Sequence, residues 1–196
     1  MRFTYDELPY VGQPFPQSHP DRLATIATLF GMRPAPVRGC RVLELGCAAG
    51  GNLVPMAEQL PESDFLGIDL SARQVADGSA LIAALRLPNI ELRQQSILDF
   101  DRAGGAFDYI ICHGVYSWVP PATQDKILAI CGQALTPNGV AYVSYNTLPG
   151  WHLRGTVRDM LAFHTRKYSE PRDQAGHARA MLDFLVKSSP AAGAFG

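Results

Sequence analysis

The chain has 196 residues, 47% of them hydrophobic and 18% charged, with a formal net charge of −1. That length accommodates one well-buried α/β domain with a short helical appendage. Near-neutrality, with no Lys/Arg cluster along any face, argues against a nucleic-acid surface and against a polybasic membrane patch. No apolar stretch approaches the ~20 residues of a spanning helix, and Met1 to Glu7 lacks the apolar run of a signal peptide. The four cysteines, Cys40, Cys47, Cys112 and Cys131, are widely spaced. Such spacing suits reduced structural thiols in a cytoplasmic protein, and no Cys or His pair has zinc-ligand spacing.

Residues 1–20 mix prolines (Pro9, Pro14, Pro16, Pro20) with aromatics (Tyr5, Tyr10, Phe15). The prolines exclude a regular element and the aromatics are too many for a solvated tail, so this stretch reads as an extended arm or lid packed on the domain. Asp21 opens a helix to about Met32 with Leu23, Ile26, Ala27 and Phe30 on one face. A first strand spans about 40–45 and its helix about 50–60. Asp64 to Asp69 is a second strand, and Ser71 caps a helix that runs to Leu85. Ile90 to Gln94 alternates as a third strand, and Phe107 to Cys112 is a buried fourth. A helix from Ala122 to Leu135 carries Ile127, Leu128, Cys131, Ala134 and Leu135 at period 3.6. Pro137-Asn138-Gly139 turns into a fifth strand, Val140 to Tyr145. Two helices follow, one lined by Leu153, Val157, Met160, Leu161 and His164, the other by Ala178, Met181, Leu182, Leu185 and Val186. Alternation of strand and helix predicts a doubly wound, mostly parallel α/β sheet with helices on both faces.

The densest chemistry lies at Val42-Leu43-Glu44-Leu45-Gly46-Cys47-Ala48-Ala49-Gly50-Gly51-Asn52. An apolar strand ends near an acid, small residues turn the chain, and a helix presents its N-terminus. This is a nucleotide or nucleoside cradle at the carboxyl end of a sheet. A dinucleotide turn requires glycine where Ala48 stands, to admit the pyrophosphate. The pattern that fits is acid-x-Gly-x-small-x-Gly: Glu44, Gly46, Ala48, Gly50.

Here the sequence resembles the class I S-adenosylmethionine-dependent methyltransferases. Asp69 ends the second strand 19 residues after Gly50, the family's place for an acid on both ribose hydroxyls. Gln95-Ser96-Ile97-Leu98-Asp99-Phe100 follows the third strand, where the family holds the adenine. Leu135-Thr136-Pro137-Asn138-Gly139 matches its Leu-x-Pro-x-Gly turn. The resemblance implies that the Gly46–Gly50 turn, with Cys47, Ala48 and Asn52, wraps the methionine part of S-adenosyl-L-methionine, and that Glu44 orients its ammonium. It places Leu70 beside Asp69 and implies Ser96 or Ile97 against the adenine. Asp69 as a helix-capping acid is the competing structural reading.

Four stretches are similar to a smaller subgroup that carries a C-terminal methyltransferase regulatory domain. These are Tyr5 to Tyr10, His19 to Leu23, His113 to Pro120 and Tyr145 to Trp151. The subgroup includes bacterial protein-lysine methyltransferases acting on outer-membrane proteins. The regulatory domain and the sixth and seventh strands of the wider family have no counterpart in this chain. The expectation is an N-terminal part of a longer polypeptide or a minimal form, with an arm at 1–20, a cofactor-binding domain at 21–168 and a helix and linker at 169–196.

Methyl transfer from a sulfonium is an in-line displacement, so alignment and water exclusion carry most of the catalysis. The resemblance sets the His113–Pro120 loop beside the methyl group. His113 and Tyr116 are the candidate catalytic residues, and His113, Gly114 and Trp118 are candidate cofactor contacts. Tyr10 and His19 on the arm are candidate covers for the cofactor, and Asn146, Trp151 and His152 candidate substrate contacts. Packing, capping or pocket lining is the alternative for each. The loop lacks the Asn/Asp-Pro-Pro-Tyr run of enzymes that methylate DNA bases and glutamine amides, and no metal-binding carboxylate set is present. Three functions remain open: N-methylation of protein lysine, methylation of a small molecule or natural product, and a catalytically silent cofactor-binding module.

Overall fold

The computed structural model describes residues 10–101 and 107–188. The start of the arm, residues 1–9, and the tail expected as a linker, residues 189–196, lie outside the described residues. Those described fall into two compact units that divide between Tyr145 and Asn146.

The larger unit holds α1 (Pro20–Leu29), β1 (Arg41–Leu45), α2 (Leu53–Gln59), β2 (Asp64–Asp69), α3 (Ala72–Leu85), β3 (Ile90–Gln94), β4 (Phe107–Cys112), α4 (Pro121–Ala134) and β5 (Leu135–Val143). All strand pairs are parallel, in the order β3-β2-β1-β4-β5. Alternating side chains of the same strands feed two cores. Val42, Phe65, Tyr109 and Ile111 join α1, α2 and α3 on one face. Leu43, Leu45, Ile68, Ile110 and Cys112 join Ile127, Ile130 and Ala134 of α4 on the other. Burial on both faces explains why these strands are nearly continuous apolar runs.

Most expected elements are observed within a few residues, and Ser71 caps α3 by accepting from Gln74 N–H. Three expectations are corrected. β5 runs Leu135–Val143, not Val140 to Tyr145; its register on β4 steps from Phe107–Leu135 to Tyr109–Val140, so the Pro137-Asn138-Gly139 turn survives as an irregularity inside the strand. The helix expected over 21–32 ends at Leu29, and Ile26 and Phe30 are exposed, leaving Leu23 and Ala27 as its buried contacts. In the second unit, α5 (Trp151–Thr165) and α6 (Pro171–Ser188) expose Leu153 and Val186. Tyr168 there stacks on His177 at 3.8 Å between ring centroids. The described residues after Val143 contribute no strand. No described helix is long and apolar enough to cross a membrane, and the four cysteines are free.

Helix α3 is pressed onto the Gly-rich turn through Gly78, where an added Cβ would lie 2.5 Å from the Ala49 carbonyl oxygen. Gly176 on α6 has nothing within 4 Å of that position. Urea unfolding should therefore give opposite signs for one chemical change. Gly176→Ala stabilises by ~0.5–1 kcal/mol through helix propensity. Gly78→Ala destabilises by ~1–3 kcal/mol through overpacking. Equal effects would refute the close contact.

Candidate functional site

Alternation along β1 puts Glu44 on the same face as Val42, and its side chain is 3% exposed. Oε1 accepts a hydrogen bond from Asn52 Nδ2 at 2.8 Å, whereas Oε2 is buried with no partner among the described residues. Burial raises the Glu44 pKa to about 7; the bond from Asn52 opposes the rise and the nearby Asp69 charge adds to it. An unpartnered buried carboxylate oxygen is costly. Its lone pairs are an open position for a cation or an N–H donor.

The turn after β1 alternates into left-handed backbone three times, at Gly46 (φ 76°), Ala48 (φ 51°) and Gly50 (φ 74°). Alanine at such an angle costs ~1–2 kcal/mol, so the fold must hold it there. It does so with Asp69: Ala48 N–H donates to Asp69 Oδ2 at 2.8 Å, and Ser71 N–H donates to Oδ1 at 2.9 Å. Gly46 and Cys47 N–H both donate to the Ile68 carbonyl. Asp69 thus ties the turn to the start of α3 while each carboxylate oxygen keeps a further lone pair. The capping and the ligand-binding readings of Asp69 are geometrically compatible. Cys47 is buried beneath this turn, and burial pushes its thiol far above the ordinary range.

Around the carboxyl end of the sheet, Leu70 is 44% exposed beyond β2. Ser96 Oγ accepts from Leu98 N–H and caps the short turn Ile97–Asp99, with Ile97 packed at the edge of the second core. Gly114 adopts φ 70° and its N–H donates to Ser144 Oγ at 2.7 Å. Tyr116 begins the 3-10 turn Tyr116–Trp118 and packs on the second core, its ring edge-on to Tyr145 at 6.3 Å. Trp118 is half exposed. His113 lies on the first face, its Nδ1 3.3 Å from the Tyr142 hydroxyl, and burial lowers its pKa below the usual histidine value. The two candidate catalytic residues therefore pack on different surroundings.

The arm lies on this cradle. A Cβ on Gly51 would fall 2.6 Å from the Gly12 carbonyl carbon. Asn52 Oδ1 accepts from Phe15 N–H at 2.9 Å, and the Phe15 ring sits 3.9 Å from the His113 ring. His19 is the N-cap of α1: its Nδ1 accepts from Asp21 N–H, which leaves the proton on Nε2, a buried atom without a partner. His19, Phe15, Asn52 and Met56 line a groove of about 350 Å³. Tyr10, at the start of the described arm, is half exposed. Asn146, Trp151 and His152 belong to the second unit.

Phe15, Ser18, Tyr142 and Ser144 join the site without having been singled out by motif. Their contacts are long-range, and only the aromatic content of the arm hints at one of them.

The raised pKa of Glu44 has a sign. Its folded-state value exceeds its unfolded value, so its stabilising contribution is present at low pH and is lost as the pH climbs through about 7. Glu44→Gln should therefore gain stability relative to the wild type between pH 5 and pH 8 in urea unfolding of the ligand-free chain. A pH-independent difference would refute the buried, unpartnered carboxylate.

Residues 43–141 match the methyltransferase domain family. The chain is 47% identical over 184 residues to the uncharacterized protein RP789 of Rickettsia prowazekii, covering 94% of this chain and 33% of that protein. It is 43% identical to RP028 of the same organism, covering 95% of this chain and 75% of that one. The solved structure of PKMT2 from Rickettsia typhi in complex with AdoHcy superposes with a TM-score of 0.82 at 44% identity, over 93% of this chain and 35% of that one. The chain thus spans about a third of RP789 and of PKMT2. With this sheet order, this turn and these relatives, the chain belongs to the class I S-adenosylmethionine-dependent methyltransferases.

Proposed function

We propose that this domain methylates the side-chain amine of protein lysine. The observation that supports the acceptor class is the 44% identity to PKMT2 across 93% of the chain, taken with the similarity of His19 to Leu23, His113 to Pro120 and Tyr145 to Trp151 to the subgroup that includes bacterial protein-lysine methyltransferases. The cofactor supplies, when bound, an electrophilic methyl group on a sulfonium. The residues suit that group. Glu44, whose Oε2 is unpartnered among the described residues, would accept from the methionine ammonium. The remaining lone pairs of Asp69 would accept from the ribose hydroxyls. The Gly46–Gly50 backbone, with Cys47, Ala48 and Asn52, would hold the amino-acid end, and Leu70, Ser96 and Ile97 the adenine.

A lysine amine, with a reference pKa of ~10.4, arrives protonated and must lose a proton before it can attack. His113, held neutral by burial, accepts that proton. Gly114, Tyr116 and Trp118 shape the rim, and Tyr10 and His19 close it from the arm.

Incubation of the full chain with methyl-labelled S-adenosylmethionine and lysine-containing protein should yield N-methyllysine by mass spectrometry. Label appearing only in small molecules would replace the acceptor reading, and no label in either would favour a silent module. Asp69→Asn should weaken S-adenosylhomocysteine binding by ~1–3 kcal/mol in titration calorimetry; an unchanged dissociation constant removes the ribose contact. His113→Gln should lower kcat by about 10²-fold and abolish the acid limb of the pH–rate profile, which in the wild type falls as His113 becomes protonated. Retention of that limb would remove His113 as the base.

A further inference from the structure

We infer that Asn52 is a positioning residue: it latches the Phe15–Ser18 segment to the Glu44 carboxylate and, through the Phe15 ring, sets where the His113 imidazole lies. Asn52 is the N-cap residue of α2, yet its side chain makes no capping bond. Asparagine is among the best N-caps, and loss of a cap costs ~1 kcal/mol. Here all of its polar atoms are spent elsewhere. Nδ2 donates to Glu44 Oε1 at 2.8 Å and to Ser18 Oγ at 3.1 Å; Oδ1 accepts from Phe15 N–H at 2.9 Å.

The hydroxyl of Ser18 has one proton, and the shortest acceptor for it is the Phe15 carbonyl at 2.8 Å. Its lone pair then takes the Asn52 N–H, and the 3.4 Å approach to Asn52 Oδ1 is left without a proton. Ser18 is fully buried and Asn52 is 5% exposed, so neither bond competes with water and each is costly to lose. The segment is therefore closed on itself and bolted to the carboxylate by one amide.

Its outward product is the ring of Phe15, tilted 38° over His113 with centroids 3.9 Å apart. His113 also stacks against Tyr142 at 5.8 Å between centroids. The imidazole thus contacts both an arm residue and a strand residue. Gly51 completes the seat, since any side chain there would collide with Gly12 and Gln13 backbone. The amide that steadies Glu44 is in this way the same amide that covers His113. The coupling to cofactor affinity rests on the assignment of Glu44 to the ammonium; the coupling to His113 does not.

The test is histidine-ring NMR on the full chain with labelled histidine, His113 being assigned by its loss in His113→Gln. Phe15→Leu removes the ring current on His113 and sets the reference for an uncovered imidazole. Ser18→Ala and Asn52→Ala should each move the His113 signals toward that reference while leaving His164 and His177 in place. In titration calorimetry with S-adenosylhomocysteine, Asn52→Ala should weaken binding more than Ser18→Ala, because only the former also frees Glu44. If His113 responds to Phe15→Leu but to neither latch variant, the inference is overturned. If Asn52→Ala does not fold, Ser18→Ala alone decides, since it keeps the Asn52–Glu44 bond. Failure of the wild type to bind S-adenosylhomocysteine would strike the cofactor assignment and leave the His113 result standing.

Discussion

Glu44 carries a carboxylate into the packed centre of the sheet, between Gly67 on β2 and Ile111 on β4. Taking that group out of water is unfavourable in either protonation state, more so when ionised. One oxygen is satisfied by Asn52, the other by no group among the described residues. The neighbouring features follow from this debt. Asn52 is drawn away from capping its own helix, the arm is drawn onto Asn52, and the remaining oxygen is left open to a donor. A position that was only structural would be filled more favourably by an apolar residue of similar volume.

Around that carboxylate the backbone is forced into shapes that ordinary side chains resist. Three left-handed residues in alternation turn the chain within the space between β1 and α2, and Gly67 and Gly78 let Cys47, Leu92 and the Ala49 carbonyl approach without a Cβ in the way. Asp69 stabilises the turn from outside by accepting from Ala48 and Ser71. One residue therefore serves twice, holding the cradle's shape and bordering its opening. Strain of this kind persists only where surrounding contacts over-determine it, and here the first core and α3 both bear on it.

The parallel topology then determines what else gathers there. With every strand pointing the same way, the residues after β1, β2, β3, β4 and β5 emerge at one end of the sheet. This brings the Gly-rich turn, Asp69, Ser96, His113 and Ser144 to a common rim although they are spread over about 100 positions of sequence. The two faces separate their roles. His113 joins Phe15 and Tyr142 on one side, and Tyr116 joins Val115, Val119 and the α4 core on the other.

By itself the amino-acid sequence determined the strand–helix order, the positions of four strands, the cap at Ser71, and the acid-and-glycine pattern that names the cofactor. These are local properties: hydrophobic period, capping chemistry and the tolerance of glycine for left-handed backbone act within a few residues. Only the tertiary structure decided that Asn52 spends its amide on the arm rather than on α2, that Phe15 covers His113, and that the fifth strand begins at Leu135 with its turn folded into the register. It also decided that Ile26 and Phe30, periodic with a buried face, stand in solvent. Each of these depends on which distant residue arrives opposite. A hydrogen bond across 37 positions, such as Phe15 to Asn52, leaves no periodicity in the chain from which it could be read.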